Sequence, residues 1–304
     1  MMKRIGVIVN PTSGGGTGRS SGEIAIQELQ RGCEVIDLSA DNPKQASANA
    51  KRAIDDQILD GIVVVGGDGT AHLGVNVCAE TGVPLGIIAS GTGNDSARTL
   101  GLPIGDITAA ARAVLINLEE PRTVDAVKAT TSTGEFWAFG SLSAGFDSLV
   151  NQRANSWTWP TGPSRYQLAM LAELAKFKPI HYEAEIDGKH RSFEAMLCAV
   201  ANAPGFGGGM LITPDAQIDD GYLDLFIVHK MSRPELIRVF PKVYTGAHVF
   251  HPAVEIIRAK QVKISAGQMP IFADGEARGH SPLTATVVPG ALKVFASVNT
   301  PFVA

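Results

Sequence analysis

The sequence is poor in cysteine: only three are present among 304 residues. Cys33, Cys78 and Cys198 are far apart, each lies in an apolar stretch, and no CxxC pair or zinc-ligand spacing occurs. Disulfide frameworks and cysteine-ligated zinc sites need closely spaced or paired cysteines, whereas isolated apolar thiols are typical of reducing compartments. Both kinds of cysteine site are therefore excluded, and we expect a cytoplasmic protein with reduced, buried thiols.

The chain also lacks an excess of positive charge and any long apolar run. Lys and Arg total 26 against 30 Asp and Glu, a net charge of −4, so nucleic acid is not an expected partner. No apolar run approaches the roughly 18 residues of a membrane-spanning helix. Residues 1–4 lead directly into a strand pattern, which is too short for a signal-peptide core. A protein of this kind that acted on lipid would visit the membrane surface without spanning it.

Signals for hydrolytic catalysis and for histidine-ligated metals are missing too. There is no GxSxG string, so acyl transfer by a serine nucleophile has no support. His248 and His251 have HxxH spacing, but no third ligand or nearby acidic residue completes a metal site. We interpret both histidines as structural.

The first 125 residues contain alternating strand and helix patterns. Strands are predicted at residues 5–9, 34–38, 61–65 and 85–89, and helices at 21–30, 43–57, 71–80 and 96–100. Strands and helices that alternate in this way imply right-handed crossovers between parallel strands. The prediction is an α/β, doubly wound N-terminal domain.

Glycine-rich loops follow three of these strands, at residues 10–18, 66–70 and 90–95. The carboxyl ends of parallel strands lie at one edge of a sheet, so we expect the three loops to meet there. A strand, a glycine turn and a helix N-terminus present backbone N–H groups to phosphate. The first loop lacks the GKS/T of a nucleotide P-loop and the spacing of a dinucleotide GxGxxG. The alternative is a set of ordinary tight turns and surface loops without a ligand.

Beyond about residue 122 closely spaced strands predominate, which indicates a second, β-rich, sandwich-like domain. The boundary is predicted at Asp125. Two helices are predicted within this domain, at 164–178 after a capping box and at 234–243 with a proline in its first turn. The first helix carries an apolar stripe and follows Trp157 and Trp159. Core packing and a lipid portal both explain that stripe.

Two acidic stretches of the second domain have alternative interpretations. TPDAQIDDGYLDL at 213–225 offers four carboxylates among turn residues, which suits a hard cation or a plain polar turn. DGE at 274–276 follows a strand and, taken alone, is typical of a hairpin turn.

Together these strings resemble the diacylglycerol kinase catalytic-domain family, which includes soluble bacterial lipid kinases and the sphingosine and ceramide kinases. The resemblance covers essentially the whole chain. It rests on NPTSGGG at 10–16, GGDGT at 66–70, GTGND at 91–95, TVD at 123–125, GGGM at 207–210, TPDAQIDDGYLDL at 213–225 and DGE at 274–276. GGDGT is shared with NAD kinases and phosphofructokinases, so the later motifs carry most of the specificity.

The resemblance implies an NAD kinase/diacylglycerol kinase-like fold with a nucleotide-binding catalytic domain at 1–125. A C-terminal segment at about 290–304 would return to that domain, and 126–289 would form the lipid-substrate domain. The implied activity is ATP-dependent transfer of the γ-phosphate to a lipid hydroxyl, with diacylglycerol the leading acceptor and phosphatidic acid the product. NAD kinase and a catalytically silent lipid- or nucleotide-binding regulator are the alternatives. The implied partner is lipid at the membrane surface, with peripheral association during turnover, and a homodimer is one alternative for the oligomeric state.

The resemblance also implies site residues. Glu276 of DGE would be the general base for the lipid hydroxyl, and Asp68, Asp95 and Asp125 would form an acidic network linked to Mg²⁺ and phosphate positioning. The implied ATP-contacting residues are Asn10, Ser39, Gly66, Gly67, Asp68, Gly69, Thr70, Ala71, His72, Leu73, Thr92, Asn94 and Arg98.

Two further assignments follow from the resemblance. A structural cation in bacterial relatives maps onto the carboxylate of Asp220 and the carbonyls of Gln217 and Tyr222. Some relatives carry a basic residue in the first loop, whereas this loop has only small residues before Arg19. Arg98 is therefore the leading candidate for the cation that neutralises the phosphates.

Overall fold

The computed structural model describes residues 2–159, 165, 168, 169, 172, 173 and 178–297. The chain divides into two compact units: unit 1 comprises residues up to 126 and from 289 onward, and unit 2 comprises Val127–Val288. The chain passes from unit 1 to unit 2 within the strand Arg122–Thr131 and returns within the strand Leu283–Val294. The predicted helix at 164–178 and the last residues of the predicted return segment lie largely outside the described residues.

Unit 1 alternates strands with helices. Its strands are β1 (Arg4–Val9), β2 (Glu34–Asp37), β3 (Gly61–Gly66) and β4 (Leu85–Ala89). Its helical segments are α1 (Ser13–Gly16), α2 (Gly18–Leu29), α3 (Pro43–Asp55), α4 (Asp68–Cys78), α5 (Asp95–Thr99) and α6 (Ile107–Ile116). The strands pair in parallel in the order β4-β3-β1-β2.

The central strand β3 explains why this sheet is buried on both faces. All six of its residues are buried, and Val63 and Val65 pack in a core cluster with Ile5, Leu29 and Phe295. A continuous β-branched run of this kind is what a parallel strand between two helical layers requires. The doubly wound arrangement puts the carboxyl ends of β1, β3 and β4 at one edge.

The chain re-enters unit 1 through the end of its last strand, β15 (Leu283–Val294). Val294 pairs in parallel with Leu85 of β4, and the Phe295 N–H donates to the Leu85 carbonyl at 2.9 Å. The Phe295 ring packs against Gly61, where an added Cβ would lie 2.6 Å from it. The last strand therefore runs without a break from unit 2 into unit 1.

Unit 2 is an antiparallel β structure. Its strands are the end of β5 (Arg122–Thr131), β6 (Gly134–Ala138), β7 (Ser141–Ser143), β8 (Ile180–Ile186), β9 (Lys189–Ala201), β10 (Leu223–His229), β11 (Val254–Ala259), β12 (Gln261–Ser265), β13 (Pro270–Ala273), β14 (Glu276–His280) and the start of β15. Its helical segments include α7 (Phe146–Ser156), α8 (Arg233–Val239) and two 3₁₀ segments, Phe240–Tyr244 and Ala247–Phe250.

Strand β10 shows how unit 2 is layered. Leu223, Leu225 and Ile227 point into a core formed by the strands, whereas Phe226 and Val228 pack in a second cluster that includes residues of the helical segments. Alternate residues of a strand face opposite sides, so β10 is covered by strands on one side and helices on the other. Within the described part of the chain, no helix is long and apolar enough to cross a membrane.

All three cysteine thiols are buried inside these cores. Burial raises the pKa of Cys33 to about 11 and that of Cys78 to about 12, because a thiolate loses its hydration there. The structure agrees with the prediction of reduced, buried thiols.

Candidate active site

Asp68 joins two of the glycine-rich loops. It is the first residue of α4, and its Oδ1 and Oδ2 accept the N–H groups of Asp95 and Asn94 at 2.6 and 2.8 Å. The helix therefore begins three residues earlier than predicted, because Gly67 and not a later residue is its N-cap. Asp68 and Asp95, predicted as partners, are thus adjacent.

The same two loops approach each other backbone to backbone. A Cβ added to Gly91 would lie 2.4 Å from the Cα of Gly67. A Cβ added to Gly93 would lie 2.5 Å from Oδ2 of Asp68. Any side chain at these positions would push the loops apart, which is the physical reason for glycine there.

Asn94 shapes the loop that follows β4. Its backbone is left-handed, with φ of 56°, and its amide closes a ring on Gly91: Oδ1 accepts the Gly91 N–H and Nδ2 donates to the Gly91 carbonyl, both at 2.9 Å. Asparagine tolerates this conformation because its short amide bonds locally. The buried Asn94 side chain therefore serves the loop itself.

The first loop is tied to the other two by side chains. Asn10 Nδ2 donates to Thr70 Oγ1 at 3.3 Å, and the hydroxyls of Ser13 and Ser90 lie 2.8 Å apart. With the Asp68 bonds, each of the three loops contacts both others. Ser13 and Ser90 were missed in the sequence analysis, and only their positions inside the glycine-rich strings could have pointed to them.

A cavity of about 330 Å³ lies beside the first loop in unit 1. Ser39, a predicted nucleotide contact, lines it and accepts the Val9 N–H at 2.9 Å through its Oγ. Arg19, Glu23, Asp37 and Asp41 also line it, so the cavity offers one cation, three carboxylates and a hydroxyl. Arg19 was not assigned a role from sequence because it follows the loop motif.

The other predicted ATP contacts differ in exposure. Gly69 and Thr92 are exposed, and Leu73 is half-buried. The side chain of His72 is only 1% exposed, and Gly66, Thr70 and Ala71 are buried as well. Burial leaves little room for a direct ligand contact from the His72 side chain.

Arg98 does not point freely away from the protein. Its Nε donates to the Gly93 carbonyl at 3.0 Å, which secures the loop after β4. The predicted neutralisation of phosphate by Arg98 would therefore fall to the Nη1 and Nη2 groups of its guanidinium.

Asp125 lies on β5, the strand through which the chain first leaves unit 1. It is buried, at 3% exposure, and its Oδ1 accepts the N–H of Gly290 at 2.9 Å. Gly290 has a φ of 67°, which favours glycine. Asp125 holds the chain where it returns to unit 1.

Glu276 begins β14 in unit 2, after a two-residue turn. Asp274 and Gly275 have φ of 49° and 82°, the left-handed pair typical of a type I′ hairpin. The Asp274 carboxylate accepts the N–H groups of Phe139, Gly140 and Ser141 at 3.0, 2.8 and 3.2 Å. The side chain of Glu276 is exposed and directly follows a turn that the hydrogen bonds of Asp274 hold in place.

In the predicted cation site, the carboxylate of Asp220 is paired with the side chain of Arg258. Asp220 Oδ1 accepts the Tyr222 N–H at 3.0 Å, and Oδ2 accepts Nη2 of Arg258. The Arg258 guanidinium also lies 4.4 Å from the centre of the Tyr222 ring. Among the described residues no group of three or more His, Cys, Asp and Glu could hold a metal ion. A cation here would compete with Arg258 for Asp220, and carbonyl oxygens such as those of Gln217 and Tyr222 would have to supply the other ligands.

Family models match both units. Residues 4–129 match the diacylglycerol kinase catalytic domain, and residues 140–296 match the YegS C-terminal NAD kinase beta sandwich-like domain. Together these matches cover most of the chain.

Named relatives match along nearly the whole length. A diacylglycerol kinase of Mycobacterium tuberculosis (strain ATCC 25618 / H37Rv) is 38% identical over 295 residues, which cover 96% of this chain and 94% of that protein. A diacylglycerol kinase of Bacillus subtilis (strain 168) is 30% identical, covering 92% of each chain. A crystal structure of a diacylglycerol kinase from Bacillus anthracis superimposes with a TM-score of 0.74 at 22% identity and covers 98% of each chain. At that identity the structure supports the fold alone.

Proposed function

The chain belongs to the diacylglycerol kinase catalytic-domain family, and on that premise we propose that it phosphorylates diacylglycerol to phosphatidic acid. It is an ATP-dependent lipid kinase, since both its catalytic-domain match and the names of its relatives specify kinase chemistry. The acceptor is the proposal. The assignment of diacylglycerol is supported by the printed names of relatives at 38% and 30% identity.

One observation carries the donor half of the reaction: three loops at the carboxyl ends of β1, β3 and β4 contact one another. Gly67 caps the 11-residue helix α4, whose N-terminus offers N–H groups and a favourable dipole to anions. Glycine at positions 67 and 91 lets the loops after β3 and β4 approach backbone to backbone, so both loops lie beside the N-terminus of α4. We assign this edge to the triphosphate of ATP.

The cavity beside the first loop suits the nucleoside part of ATP. Its volume of about 330 Å³ is at the lower end of the range for small-molecule pockets. The Asp37 carboxylate can accept hydrogen bonds from ribose hydroxyls, the Ser39 hydroxyl can donate hydrogen bonds to them, and Arg19 can face phosphate. Arg19 thus joins Arg98 as a candidate for charge neutralisation.

Mg²⁺ fits the chemistry of the residues near these loops, because it prefers carboxylate oxygens together with phosphate oxygens. We propose that Asp95, with Asp68 and Asp125 in support, holds it when ATP is bound. The ion would offset the charge of the β- and γ-phosphates. The chain's own contribution is positional: Asp68 sets the loop after β4 through two backbone N–H groups.

Glu276 is our proposed general base. In the transfer step the acceptor hydroxyl oxygen forms a bond to the γ-phosphorus, the bond to the β-phosphate oxygen breaks, and ADP leaves. The hydroxyl proton passes to the Glu276 carboxylate. The Asp274 bonds that anchor the hairpin support this assignment, since a base must be held within hydrogen-bond reach of its proton.

The first prediction tests the acceptor and the base together. Incubation with labelled ATP, Mg²⁺ and a panel of diacylglycerol, sphingoid bases, phosphatidylglycerol and NAD should label phosphatidic acid. Glu276→Gln should lower kcat by about 100-fold or more and leave ATP affinity unchanged, because only proton acceptance is lost. The control is Glu135→Gln, another exposed strand glutamate of unit 2, which should keep full activity.

Other outcomes would redirect the proposal. Full activity of Glu276→Gln would contradict the base assignment. Labelled NAD phosphate would favour the NAD kinase alternative, and ATP binding without any labelled product would favour a silent regulator. Cytoplasmic location and visits to the membrane surface remain part of the proposal.

A further inference from the structure

A short helical segment of unit 2 exposes large apolar side chains. Ile237 in α8 is 56% exposed, Tyr244 at the end of the first 3₁₀ segment 47%, and Phe250 at the end of the second 87%. Single exposed apolar residues are common on soluble proteins, but three within 14 residues are a concentration that calls for a partner. We call Ile237, Tyr244 and Phe250 the apolar face.

Helical spacing brings two of these residues to one side. The backbone stays helical from α8 into the 3₁₀ segment, with φ of −50° and ψ of −47° at Phe240. Ile237, Pro241 and Tyr244 are then spaced by four and three residues, which places them along one side of the helical path. Both Pro241 and Tyr244 are exposed.

The second 3₁₀ segment folds back toward α8. His251 Nε2 lies 3.4 Å from Oε1 of Glu235, so Phe250 is held near the start of the helix. The opposite side of the helical segment already packs against the protein. Val239 and Val243 are buried there, and Val243 contacts the core cluster around Phe226. The apolar face is therefore not required for the core.

Positive charge surrounds the apolar face. Between residues 230 and 250 the cations are Lys230, Arg233, Arg238 and Lys242, all exposed, and Glu235 is the one acidic residue. The whole chain, in contrast, carries a net charge of −4. Exposed apolar residues flanked by Lys and Arg are the composition of an interfacial helix that binds anionic lipid.

We propose that the apolar face and its four cations dock the kinase on an anionic membrane surface. This inference rests on the proposed function, since a diacylglycerol acceptor lies in a membrane. The apolar side chains would enter the acyl boundary, and the cations would meet lipid phosphates. A second copy of the chain fits less well, because a two-fold contact would bring the same four cations against one another.

The test measures binding to vesicles. Wild-type chain should sediment with vesicles of phosphatidylcholine containing phosphatidylglycerol, and much less with phosphatidylcholine alone. The variant I237S/Y244S/F250S should bind the anionic vesicles roughly tenfold or more weakly, and so should R238Q/K242Q, which leaves the apolar face intact. The control is Ile116→Ser, an apolar residue of α6 in unit 1 that is 78% exposed, and it should bind as wild type.

Measurements of kinase activity distinguish a failure of the docking surface from a failure of the proposed function. Both variants should lose turnover of diacylglycerol in vesicles by a similar factor and keep that of a short-chain diacylglycerol dissolved as monomer. Wild-type binding by both variants would overturn the docking surface. So would a dimer in analytical ultracentrifugation that I237S/Y244S/F250S alone dissociates, with vesicle binding retained. If wild type binds vesicles but phosphorylates neither form of diacylglycerol, the substrate proposal fails and the docking surface stands.

Discussion

At the residue scale, two aspartates of unit 1 both accept hydrogen bonds from backbone N–H groups, but with different consequences. Asp68 accepts N–H groups from Asn94 and Asp95, which belong to another loop. Asp106 accepts the N–H of Ala109 at 2.9 Å within its own helix α6, as an ordinary N-cap. The local bond stabilises one helix end, whereas the long-range bonds determine how two loops of the proposed phosphate site meet.

Asp68→Asn should therefore impair the site more than the fold. One oxygen becomes an NH₂ group that faces a backbone N–H, and an unmade bond of this kind costs about 1–3 kcal/mol. We expect turnover to fall by about 100-fold as the loops separate, with a loss of ATP affinity measurable by calorimetry.

The matched control for that change is Asp106→Asn. Asparagine caps helices about as well as aspartate, so thermal unfolding and kinase activity should both stay close to wild type. Equal loss of activity in the two variants would contradict a site-specific role of Asp68.

At the element scale, two hairpins of unit 2 share one construction. Asp274-Gly275 joins β13 to β14, and Asp187-Gly188 joins β8 to β9, with left-handed φ at all four residues. Each aspartate also anchors its turn to a neighbouring segment: Asp187 Oδ1 accepts the N–H groups of Lys260 and Gln261, both at 2.9 Å. Only the Asp274 hairpin carries the proposed base.

Asp274→Asn and Asp187→Asn should differ in both stability and catalysis. Asparagine suits both left-handed turns, but at Asp274 both carboxylate oxygens accept N–H groups and one acceptor is lost, which should cost about 1–3 kcal/mol of unfolding free energy. At Asp187 a single oxygen accepts both N–H groups and can be kept as the amide oxygen, so that variant should stay close to wild-type stability. Only Asp274→Asn should lower kcat, by about tenfold or more, because Glu276 is displaced from its working position. Urea unfolding and steady-state kinetics measure the two effects, and unchanged kcat in Asp274→Asn would show that the hairpin does not position the base.

At the scale of the whole molecule, buried and bridged ionisable groups make stability depend on pH. Hydrogen bonds from Arg191 hold the pKa of Glu255 below its usual range, with His229 contributing; both guanidinium bonds are short, at 2.8 and 2.7 Å. Burial lowers the pKa of His248, whose Nε2 bonds to the Ile212 carbonyl at 2.9 Å. Both shifts mean that the unfolded chain binds protons more readily.

These two groups therefore each destabilise the fold as pH falls. Glu255 stabilises the fold above its unfolded pKa of about 4.3, and this contribution is lost as pH decreases through the lower folded value. His248 disfavours the fold once pH drops below about 6.5, where the unfolded imidazole takes up a proton. Asp224 acts in the opposite direction, because burial raises its pKa to about 6 and its protonation in the fold offsets part of this loss between about pH 6 and pH 4. Urea midpoints should therefore fall most clearly below about pH 4, where Asp224 no longer titrates and the Glu255 contribution is lost.

Glu255→Gln isolates the carboxylate part of that dependence. Its destabilisation relative to wild type should be largest near neutral pH and should shrink below about pH 4, where the wild-type carboxylate is protonated as well. Glu119→Gln is the control, because that side chain is 79% exposed and pairs loosely with Lys3 at 3.6 Å. A difference that grew toward acid pH would contradict the sign of the shift.

Sequence patterns were sufficient for the fold class and for the kinase assignment, and both predictions are confirmed. The buried run at residues 62–65 could only be a central strand, and glycines at its end could only be a tight turn. The helices Ile107–Ile116 and Phe146–Ser156 were missed, although the first carries a readable signal: its residues 107, 110, 111, 114 and 115 recur at helical spacing and pack on the core of unit 1. Element ends were off by a few residues because caps such as Gly67 are decided by backbone geometry.

By itself the sequence determined the α/β order, the three glycine-rich loops and the family. Those features depend on local periodicity and on residues that only one backbone conformation suits. Tertiary structure alone decided that Ser13 meets Ser90, that Asp125 holds the return strand, and that Asp274 anchors the hairpin of Glu276. Each of these contacts joins residues more than 70 positions apart, and such pairings follow from how the sheets fold, which no local pattern encodes.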